Sequence, residues 1–239
     1  MKILTLDIET SPNKGWAFNV WQNNMLANQI IEPTKMLTWA AKFLGKKVEY
    51  RTFEDPDFHT KLYDMWNHAD AIVTYNGDKF DLRHIKREFV THKFPPPRPP
   101  ASIDLIKTVK QNFCFPHNSL AYVGSKLLGE TKLETGGFDL WPSFMDGDPK
   151  ARRVMERYNK KDTTLTEKLY LYLRPWIKNH PYLNELPAHL GDEDYEYECP
   201  ACGSWDTEHK RPRRTRCFAI RLVSCNKCGH WADGTRKKM

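Results

Sequence analysis

Asp7 and Glu9 stand two residues apart in the stretch Leu4-Thr5-Leu6-Asp7-Ile8-Glu9-Thr10, near the start of the 239-residue chain. Leu4, Leu6 and Ile8 alternate with Thr5, Asp7 and Glu9, which is the period of a half-buried strand. Side chains two apart share a face, so the two carboxylates stand side by side with Cα atoms about 7 Å apart. Paired acids on an apolar strand repel each other and lose hydration unless positive charge compensates, and a divalent cation is the usual compensation. Asp81 follows the turn Tyr75-Asn76-Gly77-Asp78-Lys79-Phe80, at the end of a short apolar run where open α/β sheets place their sites. Taken alone it reads as a helix cap. Asp162 interrupts the apolar stripe Val154, Tyr158, Leu165, Leu169, Tyr172 of a long helical pattern, with Tyr158 one turn before it. A carboxylate on a core-facing stripe is costly unless it is paired or bound to metal. Asp78 and Asp104 read as turn and helix-start residues.

A second chemistry sits at the other end. Cys199-Pro-Ala-Cys202-Gly203 and Cys225-Asn-Lys-Cys228-Gly229 place two thiolates on each of two tight turns, 22 residues apart. The glycine after each pair permits the bend. Such spacing favours one tetrahedral metal over disulfides and resembles zinc ribbons, which implies a single structural Zn²⁺ held by Cys199, Cys202, Cys225 and Cys228. Residues Arg216 to Val223 alternate enough to be the ribbon's strand, with Cys217 as a small buried residue of it, and Cys114 reads as a packed thiol.

The elements that must position these groups can be read in outline. Residues 37–44 and 48–53 form two strands around the turn Gly45-Lys46-Lys47, giving an antiparallel half-sheet with the first strand. Trp16 to Trp21 is an aromatic, partly extended segment. A helix over 57–68 precedes a buried strand at 71–75, and a second helix opens at Asp81. Phe94 to Pro100, with five prolines, is a polyproline surface loop. Regular structure restarts over 103–109; Ser119 caps a helix that Gly129 stops. Residues 136–149 read as a long loop around a buried Trp141, and 150–178 as a helix interrupted near Pro175. This order gives an α/β domain with a mixed sheet over 1–190, an acidic linker over 191–198 and a ribbon over 199–239.

Charge is divided along the chain. Residues 203–239 carry ten Lys/Arg against three Asp/Glu, so the net charge of +7 belongs to the tail and the remainder is neutral. Trp205, Phe218 and Trp231 interleave with those cations, a nucleic-acid footprint. Arg211, Arg213, Arg214, Arg216 and Lys227 are the expected phosphate contacts, with Trp205 or Trp231 able to stack a base. No apolar run approaches the length of a membrane span, and no leader-like segment opens the chain, so a cytoplasmic protein is expected.

Asp7-Ile8-Glu9-Thr10, Tyr75-Asn76…Phe80-Asp81 and Tyr158-x-x-x-Asp162 together resemble the three exonuclease motifs of the DEDD superfamily, with Tyr158 marking its DEDDy branch. Similar strings occur in the 3′–5′ proofreading domain of family B DNA polymerases. The resemblance covers roughly residues 1–180. It implies an RNase H-like fold in which Asp7 bridges two Mg²⁺ or Mn²⁺ ions, Glu9 and Asp162 complete the first site, and Asp81 binds the second. It also implies that Tyr158 orients the attacking water and that Thr10 and Asn76 lie near the terminal nucleotide, with Phe80 either a base-stacking residue or a core anchor. No polymerase sequence follows, so a stand-alone 3′–5′ exonuclease is expected, with DNA favoured over RNA and replication or repair proteins as partners. The competing expectation is a catalytically idle adaptor on the same scaffold.

Overall fold

The computed structural model describes residues 2–19, 21, 24–130, 133, 136–177, 180–181, 197–199, 202–215 and 217–238. The acidic linker, apart from Tyr197 and Glu198, and Arg216 lie outside the described residues. Ten strands are described: β1 (Ile3–Thr10), β2 (Lys14–Gly15), β3 (Ile30–Glu32), β4 (Met36–Phe43), β5 (Glu49–Thr52), β6 (Ala71–Thr74), β7 (Ala101–Asp104), β8 (Thr207–Arg214), β9 (Phe218–Cys225) and β10 (Trp231–Lys238). The helices are α1 (Phe58–His68), α2 (Asp81–Thr91), α3 (Leu105–Asn112), α4 (Leu120–Leu128), α5 (Leu140–Met145) and α6 (Pro149–Leu173).

The main sheet has the order β5-β4-β1-β6-β7. β1 is its seam, antiparallel to β4 on one side and parallel to β6 on the other. The first half is the expected hairpin, with β5 antiparallel to β4; the second half is parallel, β6 beside β7. Alternation along β1 sends Leu4, Leu6 and Ile8 into a core with α1 and α2, built on Phe58, Leu62, Trp66, Ile85 and Phe89. Ile3 joins Val73, Ile103, Leu165, Leu169 and Tyr170 on the opposite face, against α3, α4 and α6. By the strand period, Asp7 and Glu9 share the α6 face. This mixed sheet flanked by helices is the RNase H-like architecture.

The caps explain the helix limits. Asp148 starts α6 by accepting from the backbone N–H groups of Lys150 and Ala151, with Pro149 at the first helical position. Ser119 caps α4, whose C-terminal Gly129 adopts the left-handed conformation. Asp104 caps α3, as its expected helix-start role requires.

The structure corrects several sequence readings. Regular structure does restart over 103–109, in two parts: β7 ends at Asp104 and α3 begins at the next residue. The expected loop over 136–149 contains α5, whose Leu140 and Phe144, four apart, are buried against α6. Its Gly, Pro and Asp neighbours mask that spacing. Tyr172 is 52% exposed and leaves the α6 stripe. Five of the eleven buried residues of α6, namely Asn159, Asp162, Thr163, Thr166 and Glu167, are polar, which hydropathy periodicity cannot reveal. Cys114 and Cys217 are both exposed, Cys217 in the bend before β9 rather than within it.

Candidate active site

The parallel pairing of β1 with β6 runs only over Ile3, Leu4 and Thr5, so the end of β1 that carries the acids outlives its neighbour. In the space beyond β6 the chain turns into α2. The Asp81 carboxylate does not cap that helix; Phe80 occupies the capping position. Instead Asp81 Oδ1 accepts from the backbone N–H of Ile8 at 3.1 Å, taking the place a strand carbonyl would have filled. Asp81 is thereby fixed between the two acids of β1, at the C-terminal edge of the parallel half-sheet.

α6 closes the other side. Thr163 Oγ1 donates to the Ala40 carbonyl at 3.1 Å, and Ala40 is the β4 partner of Asp7. Asn159 Nδ2 donates to Asp7 Oδ2 at 2.6 Å and to the Asp7 carbonyl at 3.1 Å. Thr38 Oγ1 donates in turn to Asn159 Oδ1 at 3.0 Å, so the amide is oriented from both sides. These bonds set α6 across β1 and β4, with Asp162 between Asn159 and Thr163 on the face turned to the sheet and only 1% exposed. A buried ion pair, Lys42 Nζ to Glu167 Oε1 at 2.6 Å, holds the next turns.

Glu9 and Tyr158 are linked through α5. Trp141 Nε1 donates to Glu9 Oε2 at 3.2 Å, and the Trp141 and Tyr158 rings meet edge to face at 6.5 Å. Trp141 is half-buried rather than a core residue. Asn159 and Trp141 are the two residues of this cluster that the sequence reading missed. Asn159 could have been found from its place four after Met155 and three before Asp162.

The loop from β6 to α2 is pinned from below. Asp104 Oδ1 accepts from the Asn76 N–H at 2.7 Å and its Oδ2 from the Asp78 N–H at 3.2 Å. Asn76 has φ 68°, in the left-handed region that Asn tolerates better than most residues. Burial, and after it the Asp104 charge, hold the Tyr75 phenol above its ordinary range. Asn76 is exposed and Phe80 is 41% exposed with its ring on His84, so both present polar or aromatic surface beside Asp81, whereas Thr10 is half-buried after the register shift that ends β1. Asp78 pairs with Lys107 and takes no part in capping.

The Ile8–Asp81 and Asn159–Asp7 bonds thus tie α2 and the acid-bearing face of α6 to β1, and Asp7, Glu9, Asp81 and Asp162 offer oxygen donors only, the set that suits hard divalent cations such as Mg²⁺ or Mn²⁺. Local burial raises the cost of any uncompensated charge there. Nearby, burial and then Glu156, opposed by Thr38, keep the Tyr50 phenol well above its usual range, with smaller contributions from Asp55 and Glu9.

At the C-terminal end, β10-β9-β8 form a separate antiparallel sheet. The four cysteine sulfurs lie within 4.8 Å of one another, with Cys199–Cys228 at 3.7 Å and Cys202–Cys225 at 3.6 Å. A tetrahedral site with metal–sulfur bonds near 2.3 Å spaces its sulfurs by about 3.8 Å, so the four thiols fit one Zn²⁺. Against the opposing effect of burial, the N–H groups of Cys228 and Lys227 bring the Cys225 thiol down to about 7, whereas, against the Ser204 N–H, the facing sulfurs of Cys228, Cys225 and Cys199 push the Cys202 thiol up to about 12. Gly203 and Gly229 both have φ near 70°, as each knuckle requires.

The expected cationic contacts divide. Arg211 Nη2 pairs with Asp70 Oδ1 at 2.7 Å and donates to the His68 carbonyl, and Arg213 bridges Asp233 through two bonds. Trp231 Nε1 donates to the Pro96 carbonyl at 2.7 Å, so this ring packs on the polyproline loop. Arg214 is half-buried, whereas Lys227 and Trp205 are exposed.

Residues 4–174 match the RNase H superfamily, a span that includes Asp7, Glu9, Asp81, Tyr158 and Asp162. Among solved structures, the chain is similar to the family B DNA polymerase from the hyperthermophilic archaeon Pyrobaculum calidifontis, with TM-score 0.54 and 18% identity. That likeness covers 73% of this chain and 24% of the polymerase, so this chain corresponds to about a quarter of that protein, and what it shares is the fold. No curated protein matches. No described helix is long and apolar enough to cross a membrane. With the match spanning most of the chain and the fold agreeing, this protein belongs to the RNase H superfamily.

Proposed function

We propose that the protein is a metal-dependent 3′–5′ exonuclease that releases nucleoside monophosphates from the 3′ ends of single-stranded DNA. What supports this reading is the pair of bonds at the edge where β1 outlasts β6, Ile8 N–H to Asp81 and Asn159 to Asp7, which tie α2 and α6 to the strand that carries Asp7 and Glu9. Those carboxylates would hold two Mg²⁺ or Mn²⁺ ions, which when bound lower the pKa of an attacking water and neutralise charge on the phosphate.

The chain's own residues have separate tasks. Asn159 fixes the rotamer of Asp7, and Trp141 that of Glu9, so neither carboxylate must reorganise when substrate arrives. Tyr158 orients the water by hydrogen bonding rather than by abstracting its proton. Phe80 offers a ring to the terminal base, and Asn76 and Thr10 polar groups to its sugar and phosphate. The DNA preference rests on the motif resemblance to proofreading domains and on the DNA polymerase that shares the fold. The ribbon is a structural zinc domain whose free cationic and aromatic surface, including Lys227 and Trp205, meets the strand outside the cleft.

The test is digestion of 3′-labelled and 5′-labelled single-stranded DNA and RNA with Mg²⁺, Mn²⁺ or chelator. Immediate release of the 3′ label as mononucleotide, with the 5′ label descending a ladder, is expected for DNA. Asp7→Ala should abolish it while leaving the thermal transition in place. Absence of metal-dependent products from any strand would replace the enzyme with a nucleic-acid-binding adaptor.

A further inference from the structure

Helices α1 and α2 carry a second set of donors on the opposite side of the sheet from α6. His59 lies in the first turn of α1, and Glu88 and His92 lie four apart at the end of α2. His59 Nε2 is 3.5 Å from Glu88 Oε2, and His92 Nε2 is 3.8 Å from the same oxygen. One donor atom from each residue lies within 4.8 Å of the other two.

These separations are informative. Both exceed the 2.7–3.2 Å range of an N–H···O hydrogen bond, so neither histidine is seated on Glu88 as a good donor. A metal with ligands at 2.0–2.1 Å in tetrahedral array spaces those ligands by about 3.4 Å. The observed values are close to that spacing. The carboxylate is also prepared from behind: its other oxygen, Oε1, accepts from Arg87 Nη2 at 2.8 Å, which fixes its rotamer and leaves Oε2 turned to the two rings. Phe58 packs edge-on against the His59 ring, with centroids 4.9 Å apart. His92 is half exposed, which leaves an open side for water ligands. The two imidazole centroids are 3.8 Å apart with the rings tilted by 31°, so joint ligation of one ion requires the exposed His92 ring to turn away from His59.

We propose that His59, Glu88 and His92 form a second metal site, for a first-row transition ion of the Zn²⁺, Co²⁺ or Ni²⁺ class. Two imidazole nitrogens and one carboxylate oxygen select such ions over Mg²⁺, in contrast to the all-oxygen set around Asp7. The site joins the start of α1 to the end of α2, and α2 begins with Asp81, so a bound ion clamps the helix that carries one of the candidate catalytic carboxylates. The proposal is independent of the nuclease reading, because it concerns binding and stability alone.

The test uses the full chain, equilibrated with Zn²⁺ in excess Mg²⁺ so that the carboxylate patch is saturated, then freed of unbound metal and analysed for Zn²⁺ per chain. Two ions are expected, one at the four cysteines and one at the helices. His59→Ala with His92→Ala should leave one, and the single change His92→Ala, at an exposed ring, serves should the double variant unfold. Substitution by Co²⁺ identifies which ion is lost: thiolate-to-metal charge-transfer absorption should persist in the variants, while the sulfur-free ligand-field component disappears. A single ion in the parent chain, or a second ion whose binding the histidine changes do not affect, would overturn the assignment and leave Glu88 as a histidine-flanked ion-pair partner of Arg87.

Discussion

At the scale of residues, the candidate site depends on two side chains with no acid–base role. Asn159 holds Asp7 through a 2.6 Å bond and is itself held by Thr38. Asn159→Ala is expected to lower kcat by about 10–100-fold and to raise the Mn²⁺ concentration needed for half-maximal activity, as for other residues that orient metal ligands. Its stability cost should be about 1–3 kcal/mol, because Thr38 loses its buried partner. A metal titration separates the two effects: an unchanged half-saturation point would mean that Asn159 only packs. Trp141→Phe keeps the ring beside Tyr158 and removes the donor to Glu9, so a smaller, several-fold loss of activity is expected with little change in stability. The acids themselves were legible in the sequence, since a carboxylate in an apolar pattern contradicts its surroundings. Asn159 and Trp141 were not, because an amide and an indole fit many surroundings equally well.

At the scale of elements, the turn between β6 and α2 is the tightest constraint near the site. A Cβ on Gly77 would lie 2.4 Å from Cβ and Oγ1 of Thr74, a side chain that is fully buried. Gly77→Ala must therefore push the loop away from β6, at a cost of about 1–3 kcal/mol, and shift Asp81 from Ile8. Urea midpoints and activity should fall together, with activity the more affected. At α6, Asp148→Ala removes acceptors from two backbone N–H groups and should cost about 1 kcal/mol, read as a lower thermal midpoint with the site intact. Strand β1 could be read because one of its faces is apolar, and the β4–β5 hairpin because β4 is a buried apolar run followed by the turn Gly45-Lys46-Lys47. α5 could not, because six residues give too few repeats for a helical period to emerge. The polar part of the α6 buried face was hidden for a different reason: Asn159 and Thr163 are held there by hydrogen bonds, not by hydropathy.

At the scale of the whole molecule, charge balance was legible but its use was not. The excess of Lys and Arg in the ribbon pointed outward to phosphates, yet Arg211 turns inward to Asp70, where Arg98 also converges at 3.4 Å. Asp70 further accepts from the Lys2 N–H at 2.6 Å, and Arg98 donates to the Pro212 carbonyl at 3.0 Å. Burial and the Arg211 charge, resisted by Asp70, pull the Arg98 guanidinium down to about 10, so it stays charged at neutral pH. Asp70→Ala would leave two adjacent guanidinium groups with no carboxylate between them, one of them buried. Breaking a buried pair from one side costs about 3–5 kcal/mol, and that loss should appear as faster proteolysis of the ribbon and a lower thermal midpoint. Unchanged proteolysis would show that the Trp231 and Pro96 contact suffices. Close fit supports that contact too, since a Cβ on Gly229 would come within 2.7 Å of Pro96 Cδ.

The bond between Asn159 and Asp7 joins residues 152 positions apart. A ribosome adding about 5–20 residues per second takes roughly 8–30 seconds to cross that interval. Through all of it the β1 acids have been made while the helix that completes their surroundings has not. A nascent chain therefore carries the first half of the patch without the second, and on the proposed reading the cleft is complete only once α6 has emerged.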